Sequence, residues 1–245
     1  MKNNRTVALE KNIDSHSIKF NAMASPCEVI IQTMDEKLAL KVGNIVSSEV
    51  WRIEDKYSRY DSNSLCSAIN NNAGQSVVID DETFQLLSFA DQCYQLSDGL
   101  FDITSGVLRK VWSFQSQPNS KTNFPSTAQI NATLLNVGWN KINFDPKQIT
   151  LAKGMEIDFG GIGKEYAVDR GIILAKQLTN VPVLVNLGGD LAVTGARLNN
   201  ETWQVAIEPP DMNNVDGSEH AIDMIVSLKS GALATSGDSK RFIIN

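Results

Sequence analysis

The chain has few cysteines, no long apolar run and no cluster of basic residues. Three cysteines among 245 residues, widely spaced and without a Cys-x-x-Cys pair, give no sign of a disulfide framework or a thiolate metal site. We therefore expect buried thiols in a reducing compartment. No apolar run reaches membrane-spanning length, so no membrane-spanning segment is expected. The formal net charge of −6 argues against a nucleic-acid partner, because phosphate neutralisation needs clustered Lys and Arg.

What is present is the composition of a soluble globular protein. Apolar residues make up 42% of the chain and charged residues 20%, which is enough for a hydrophobic core. The N-terminus carries basic residues but no apolar segment of signal-peptide length, so we expect a cytoplasmic protein or the processed form of an exported one. Residues 1–16 are polar and are predicted to be a flexible segment before one domain spanning 17–245.

The order of the apolar patterns predicts an α+β fold. Helical periodicity marks 34–54, 81–96 and the residues up to 178 that follow a glycine-rich turn. Strands are predicted at 17–24, 27–33, 76–79, 141–151 (as a hairpin), 182–187, 191–194, 203–207, 221–228 and 231–234. Because helices and strands are partly segregated, we predict a single domain with mixed, largely antiparallel sheets and packed helices.

Two polar segments interrupt these patterns. Residues 57–74 are rich in Ser, Asn and Asp, and a loop of that length is either functional or a plain surface loop. Residues 118–125 resemble a linker, but apolar patterning continues on both sides, so we interpret them as an excursion within one domain.

The most informative stretch runs from Met155 to Asp169. A short apolar strand is predicted to end at Asp158, and three glycines then follow within four residues, at Gly160, Gly161 and Gly163. Glycines allow backbone N–H groups to approach a ligand closely, and the N-terminus of the next helix favours an anion. The stretch therefore has the features of an anion-binding turn.

Neither of two common phosphate motifs fits this stretch. The dinucleotide fingerprint needs a third glycine where Tyr166 stands, which disfavours a nicotinamide oxidoreductase. The Walker loop needs glycine at Asp158 and Ser or Thr at Glu165. An ordinary strand-to-helix turn, with glycines present for tight packing, stays open as the alternative.

Further glycine-rich polar clusters stand at the ends of predicted strands. With the stretch above, they belong to a set of motifs that follow one another along the chain: Met23–Val29, Ser58–Tyr60 with Ser64 and Asn70, Gly99–Thr104, Asp158–Asp169, Val185–Asp190, Trp203–Pro209 and Ala234–Asp238. Together these motifs resemble those of the ApbE family of FAD:protein FMN transferases, and the matches are collinear from about Phe20 to the last residues of the chain.

The resemblance implies an enzyme that binds FAD, cleaves its pyrophosphate with the help of Mg²⁺, transfers FMN to a Thr or Ser of a client protein and releases AMP. An FAD pyrophosphatase and a catalytically impaired FAD-binding module are the alternatives. The FAD contacts that the resemblance implies are Met23, Tyr60, Leu100, Phe101, Asp102, Asp158 and Lys164. It also implies catalytic roles for Asp158 and Asp238 and a Mg²⁺ ligand in the carbonyl of Gly161. Core packing is the alternative for Met23 and Phe101, and a solvated helix charge for Lys164.

The resemblance is incomplete at the C-terminus. Family members continue beyond the position of Asn245, and a later Asp and Thr complete their metal site. The resemblance therefore implies that 17–245 lacks the family's C-terminal part, either as a fragment or as a short member. A hard cation held by one backbone carbonyl would bind weakly, which places catalysis by this chain alone in doubt.

Overall fold

A computed structural model describes residues 5–112, 124–207 and 224–236. The helices are α1 Glu36–Tyr57, α2 Leu65–Asn71, α3 Asp81–Leu96, α4 Thr127–Leu134 and α5 Gly163–Leu178. The strands are β1 Ala8–Lys11, β2 His16–Ala22, β3 Ser25–Ile31, β4 Ser76–Val78, β5 Asn143–Phe144, β6 Gln148–Thr150, β7 Val183–Leu187, β8 Asp190–Val193, β9 Trp203–Ile207, β10 Met224–Leu228 and β11 Gly231–Leu233. Every strand pair is antiparallel, and the predicted α+β class is confirmed.

The described residues form two compact units. The first contains residues 5–54, 164–207 and 224–236, and the second contains residues 55–112 and 124–163. The first unit is built on a six-stranded sheet in the order β1-β2-β3-β7-β8-β11, beside a separate β9–β10 ribbon. Three consecutive strands align Ile18 with Val29 and Val29 with Val185, and all three side chains are fully buried. This apolar row lies at the centre of the sheet.

Two helices pack closely in the first unit because glycines leave space at the contacts. A Cβ at Gly43 of α1 would overlap the side chain of Ile18 in β2. A Cβ at Gly171 of α5 would lie 3.1 Å from Val46 of α1 and 3.4 Å from Val185 of β7. Helix packing against the sheet therefore depends on small residues at these two positions.

The N-terminus differs from its prediction. Residues 1–16 are expected to be flexible, but β1 pairs with β2 from Ala8 opposite Lys19 to Lys11 opposite His16. An ion pair joins Lys19 Nζ to Glu10 Oε2 at 2.6 Å across the two strands. An edge strand exposes one side to solvent and needs few apolar residues, which is why its composition concealed it.

The second unit contains a three-stranded sheet in the order β4-β6-β5 together with α2, α3 and α4. The predicted strand at 76–79, the hairpin at 141–151 and the helix at 81–96 are confirmed. Two short helices have no counterpart in the sequence prediction. Ser64 caps α2 by accepting a hydrogen bond from Ser67 N, while Ser126 and Gln129 form a capping box at α4. Because α4 buries no side chain, it has no apolar stripe to predict it.

Two predicted segments extend outside the described residues. The predicted strand 221–228 is present from Met224 onward, and most of 118–125 is outside the described ranges. Among the residues that the structure describes, strands β9 and β10 form a separate two-stranded sheet rather than continuing the larger one. Within the described ranges, none of the helices combines the length and apolar character needed to cross a membrane.

Asp80 caps α3 and offers a stability test. Its Oδ1 accepts from Thr83 N at 3.0 Å, and its Oδ2 accepts from Lys56 Nζ at 2.5 Å. We expect Asp80→Ala to lower the free energy of unfolding by about 0.5–2 kcal/mol, the cost of a lost N-cap, as measured by urea unfolding at pH 7. Asp80→Asn, which keeps an acceptor oxygen for the cap, should retain most of that stability. Equal midpoints for Asp80→Ala and the parent would contradict the capping role.

The same carboxylate predicts a pH dependence. Partial desolvation would raise the pKa of Asp80, but hydrogen bonds from Lys56 and Thr83 outweigh it and lower the pKa from 3.8 to about 2. A carboxyl whose pKa is lower in the folded state stabilises the fold above its unfolded pKa. This contribution should be lost as the pH falls from 3.8 towards 2, and Asp80→Asn should lack that part of the acid sensitivity.

Candidate functional site

Residues 155–158, which precede the glycine-rich turn, form no strand, so the strand predicted to end at Asp158 is wrong. The amide of Asn70 takes the place of a neighbouring strand: its Nδ2 donates to Ile157 O at 2.9 Å, and its Oδ1 accepts from Ile157 N at 2.8 Å. Asp158 N then donates to Ile103 O at 2.9 Å. Side-chain and loop groups thus satisfy this buried backbone and fix where the turn begins.

Asp158 lies at the centre of a small charged group in the second unit. Its Oδ1 accepts from Gly160 N at 3.0 Å and caps the 3₁₀ helix Phe159–Gly161. Its Oδ2 accepts from Arg59 Nη1 at 2.6 Å, while Arg59 Nη2 donates to the Tyr60 hydroxyl at 2.9 Å. Tyr60 is 77% exposed. The structure therefore brings Tyr60 and Asp158 together through Arg59.

The glycines of the turn serve different purposes. A Cβ at Gly161 would lie 3.0 Å from Cε2 of Phe101, so the phenyl ring packs against the bare backbone there. A Cβ at Gly106 would lie 2.7 Å from Cβ of Asp158, so that position also has no room for a side chain. At Gly163, where α5 begins, a Cβ would meet no atom within 4 Å. Tight packing explains Gly161 but not Gly163.

The segment before the 3₁₀ helix Ile103–Lys110 presents Leu100 and Phe101. Both carboxylate oxygens of Asp102 bind backbone, because Oδ1 accepts from Thr104 N at 2.8 Å and Oδ2 from Trp139 N at 3.1 Å. Leu100 is 92% exposed. Asp102 thus fixes the backbone that carries Leu100 and Phe101, while its proposed contact with FAD stays a prediction.

In the first unit, Met23 occupies a strained hairpin turn. Met23 and Ala24 have φ angles of 52° and 56°, in the left-handed region that side chains disfavour. The turn connects Ala22 to its partner Ser25, whereas the sequence places the break at Ser25-Pro26. Met23 N donates to Glu54 Oε1 at 2.6 Å, and this bond stabilises the turn. A cavity of about 310 Å³ beside it is lined by Asn21, Ala22, Ala24, Ser25, Pro26 and Glu54.

Lys164 is ion-paired rather than solvated. Its Nζ lies 2.5 Å from Oδ2 of Asp190, a carboxylate whose side chain is 4% exposed. Asp190 Oδ1 accepts from Thr235 N at 3.1 Å. Gly189 has a φ of 102°, and a Cβ there would overlap the Thr235 hydroxyl. Thr235, which follows β11, therefore meets Gly189 and Asp190 beside Lys164.

Burial changes the acidity of three groups near these clusters. It raises the pKa of the Cys27 thiol to about 11 and that of Cys66 to about 12, where the charge of Asp158 adds to the effect. Cys27 and Cys66 are buried free thiols as predicted, and Cys93 is half-buried. Burial also raises the pKa of Glu165, whose Oε2 has no hydrogen-bond partner among the residues that the structure describes.

The described residues do not make a complete magnesium site. No group of three or more His, Cys, Asp or Glu side chains in the described ranges could hold a metal ion. Both oxygens of Asp158 are engaged by Arg59 and Gly160, and Asp238 lies outside the described residues. The carbonyl of Gly161 alone is too poor a ligand set for a hard divalent cation.

The sequence motifs alone assign no individual site role to Arg59, Asn70 or Asp190. Arg59 was visible as the one basic residue in the run of Ser, Asn and Asp around Tyr60. Asn70 and Asp190 stand in the quoted motifs, but their partners are distant in sequence: Ile157 for Asn70, and Thr235 as well as Lys164 for Asp190. No local spacing could have indicated those pairs.

Comparisons with known proteins place these features in context. The sequence profile of the ApbE family matches residues 23–245. The FAD:protein FMN transferase of Haemophilus influenzae is 26% identical over 193 residues, covering 76% of this chain and 54% of that protein. The Klebsiella pneumoniae protein of the same name is 26% identical over 226 residues, covering 90% of this chain and 65% of that protein. The chain thus spans between half and two thirds of the length of these curated relatives.

Solved structures share the fold. The ApbE protein of Thermotoga maritima superposes with a TM-score of 0.82 at 26% identity, covering 94% of this chain and 73% of that one. The apo form of the Pseudomonas stutzeri flavinyl transferase ApbE gives 0.77 at 24% identity, covering 100% of this chain and 75% of that one. At 24% identity, the similarity to the Pseudomonas stutzeri structure shows the fold alone.

The amide of Asn70 provides the stability test of the glycine turn. We expect Asn70→Ala to lower the free energy of unfolding by about 2–4 kcal/mol, because two hydrogen bonds are lost and the N–H of buried Ile157 loses its partner. The carbonyl of Ile157 would keep the weak bond from the Cys66 thiol, whose Sγ lies 3.6 Å away. Asn70→Asp keeps an acceptor for Ile157 N but sets a carboxylate oxygen against Ile157 O, so it should not recover the parent's stability in chemical denaturation. Asn72→Ala is the control, since the exposed side-chain amide of Asn72 donates to Ala68 O within the same helix turn and does not reach Ile157 among the contacts of the described residues. A loss no larger for Asn70→Ala than for the control would show that the turn does not depend on this amide.

Proposed function

The chain belongs to the ApbE family, and from that premise we propose that it acts as a FAD:protein FMN transferase. In this reaction the hydroxyl oxygen of a Thr or Ser in a client protein forms a bond to the phosphorus of the FMN moiety. The pyrophosphate P–O bond breaks, AMP leaves and the hydroxyl proton passes to a base. The names of the Haemophilus influenzae and Klebsiella pneumoniae relatives support the proposal.

The observation that carries the proposal is the grouping of an exposed aromatic ring with a cation at the glycine turn. Tyr60 offers an apolar surface suited to a flavin ring system, and its hydroxyl is fixed by Arg59. Asp158 and Gly161 lie in the same unit, with the ring of Phe101 against Gly161. A flat apolar surface beside charged and backbone groups matches a ligand that joins a flavin to phosphates.

The remaining contacts are proposals that rest on the resemblance. Met23 at the strained turn and Lys164 at the start of α5 are expected to contact FAD, and Asp158 and Asp238 to act in catalysis. Magnesium dependence belongs to the proposal for the same reason. The residues that the structure describes leave its ligand set incomplete.

A FAD-binding module without turnover is the second candidate. The shortfall of metal ligands among the described residues favours it, because a divalent cation normally neutralises the phosphates in phosphoryl transfer. A pyrophosphatase would use the same groups, with water in place of the client hydroxyl.

A binding and turnover assay separates these functions. The chain is titrated with FAD by flavin fluorescence and then incubated with FAD and Mg²⁺, with and without a cell extract as the source of client protein. For a transferase we expect AMP without matching free FMN, together with flavin fluorescence on a protein band in a denaturing gel. Equal release of AMP and FMN would identify a pyrophosphatase, and binding without AMP would identify the module. A chain that does not bind FAD would contradict the proposed function.

Tyr60 is the residue through which flavin contact is tested. We expect Tyr60→Ala to weaken FAD binding by roughly 1–3 kcal/mol, the scale of a base stacked on an aromatic side chain, which is about 5- to 150-fold in Kd. Tyr60→Phe keeps the ring and loses only the hydroxyl bonded by Arg59, so it is the matched control and should bind FAD within a few-fold of the parent. Parent-like affinity in Tyr60→Ala would remove this ring from the site.

A further inference from the structure

The geometry points to Arg59 as a positioning residue of the proposed FAD site. Its guanidinium compensates the charge of Asp158 and fixes the hydroxyl of Tyr60, so that an anionic phosphate can approach the glycine turn. The inference rests on the proposed function and adds to it a residue that neither the sequence reasoning nor the family match assigns.

Two contacts define this role. Arg59 Nη1 lies 2.6 Å from Asp158 Oδ2, and Nη2 lies 2.9 Å from the hydroxyl oxygen of Tyr60. The guanidinium carbon is 5.0 Å from the centre of the Tyr60 ring. A planar guanidinium has several donors in a fixed arrangement, so one side chain can serve both partners at once. A lysine ammonium lacks this geometry.

The charges around Asp158 explain why its ion pair with Arg59 would affect the binding of an anion. Asp158 retains 26% side-chain exposure, so its charge faces the space that a ligand would enter. The neighbouring carboxylate, Glu156, is already paired with Arg109 and Lys110. Without Arg59, Asp158 would present an uncompensated negative charge to the phosphates of FAD, and like charges at close range repel.

A purely structural role makes a different prediction. If Arg59 only holds the segment that carries Tyr60 in place, Asp158→Asn cannot restore the FAD affinity that is lost when Arg59 is removed. If Arg59 compensates the charge, Asp158→Asn should restore FAD binding in the absence of Arg59. The sign of the coupling between the two substitutions therefore distinguishes the roles.

The experiment measures the Kd for FAD by fluorescence titration without added metal, so that turnover does not enter. The variants are Arg59→Ala, Arg59→Lys, Asp158→Asn and the Arg59→Ala/Asp158→Asn double variant. We expect Arg59→Ala to weaken binding about tenfold, Arg59→Lys to fall in between and the double variant to bind within about threefold of Asp158→Asn. Arg52→Ala is the control and should leave the affinity for FAD unchanged. Its partner Glu49 keeps Arg170 as a second cation.

Two results would overturn the inference while leaving the proposed function in place. One is parent-like affinity in Arg59→Ala. The other is a loss of affinity on removing Arg59 that is as large in the Asp158→Asn background as in the parent, which would show a structural clamp. If Arg59→Ala does not fold, the Kd for FAD is compared between Arg59→Lys and the Arg59→Lys/Asp158→Asn double variant. A smaller loss of affinity in the Asp158→Asn background again indicates charge compensation. A parent chain that does not bind FAD would overturn the proposed function, and this inference with it.

Discussion

The geometry of the candidate site depends on two hydrogen bonds between one amide side chain and one buried residue. Asn70 on α2 satisfies both the N–H and the carbonyl of Ile157, so the segment before the glycine-rich turn needs no neighbouring strand. The next residue is Asp158, so these two bonds fix the backbone from which its side chain extends. An amide is suited to this task because it presents a donor and an acceptor in the same spacing as a backbone peptide. The capping of the turn by Asp158 and its pairing with Arg59 both follow from that anchoring.

In the first unit a buried carboxylate has the corresponding role. Asp190 is almost fully inaccessible, and a charge in such a place is costly unless it is paired and hydrogen-bonded. Lys164 and the N–H of Thr235 meet that requirement from two distant parts of the chain. This pairing therefore ties the start of α5 to the first residue of β8 and to Thr235, which follows β11. Any role of Lys164 towards an anion has to share the ammonium with this carboxylate.

The sequence predicts the elements whose evidence is local. The helix at 81–96 and the hairpin at 141–151 follow from periodicity and turn chemistry, and both are confirmed. The parts of the candidate site that could not be predicted depend on polar contacts between residues distant in sequence. The segment before Asp158 depends on Asn70, 87 residues earlier, and its apolar residues looked like a strand. The site motifs were visible, but the partnership of Arg59 with Asp158, across 99 residues, was not.

The hairpin at Met23 has a consequence for how that position tolerates substitution. Its turn is stabilised through the backbone, because Met23 N donates to Glu54 Oε1 at 2.6 Å. Any amino acid that can adopt a positive φ could keep the turn, while proline would remove the donor and β-branched residues would resist the backbone angle. The fold thus places few demands on the side chain itself. Natural variation at this position should therefore record the chemistry of what the side chain contacts more than the requirements of folding.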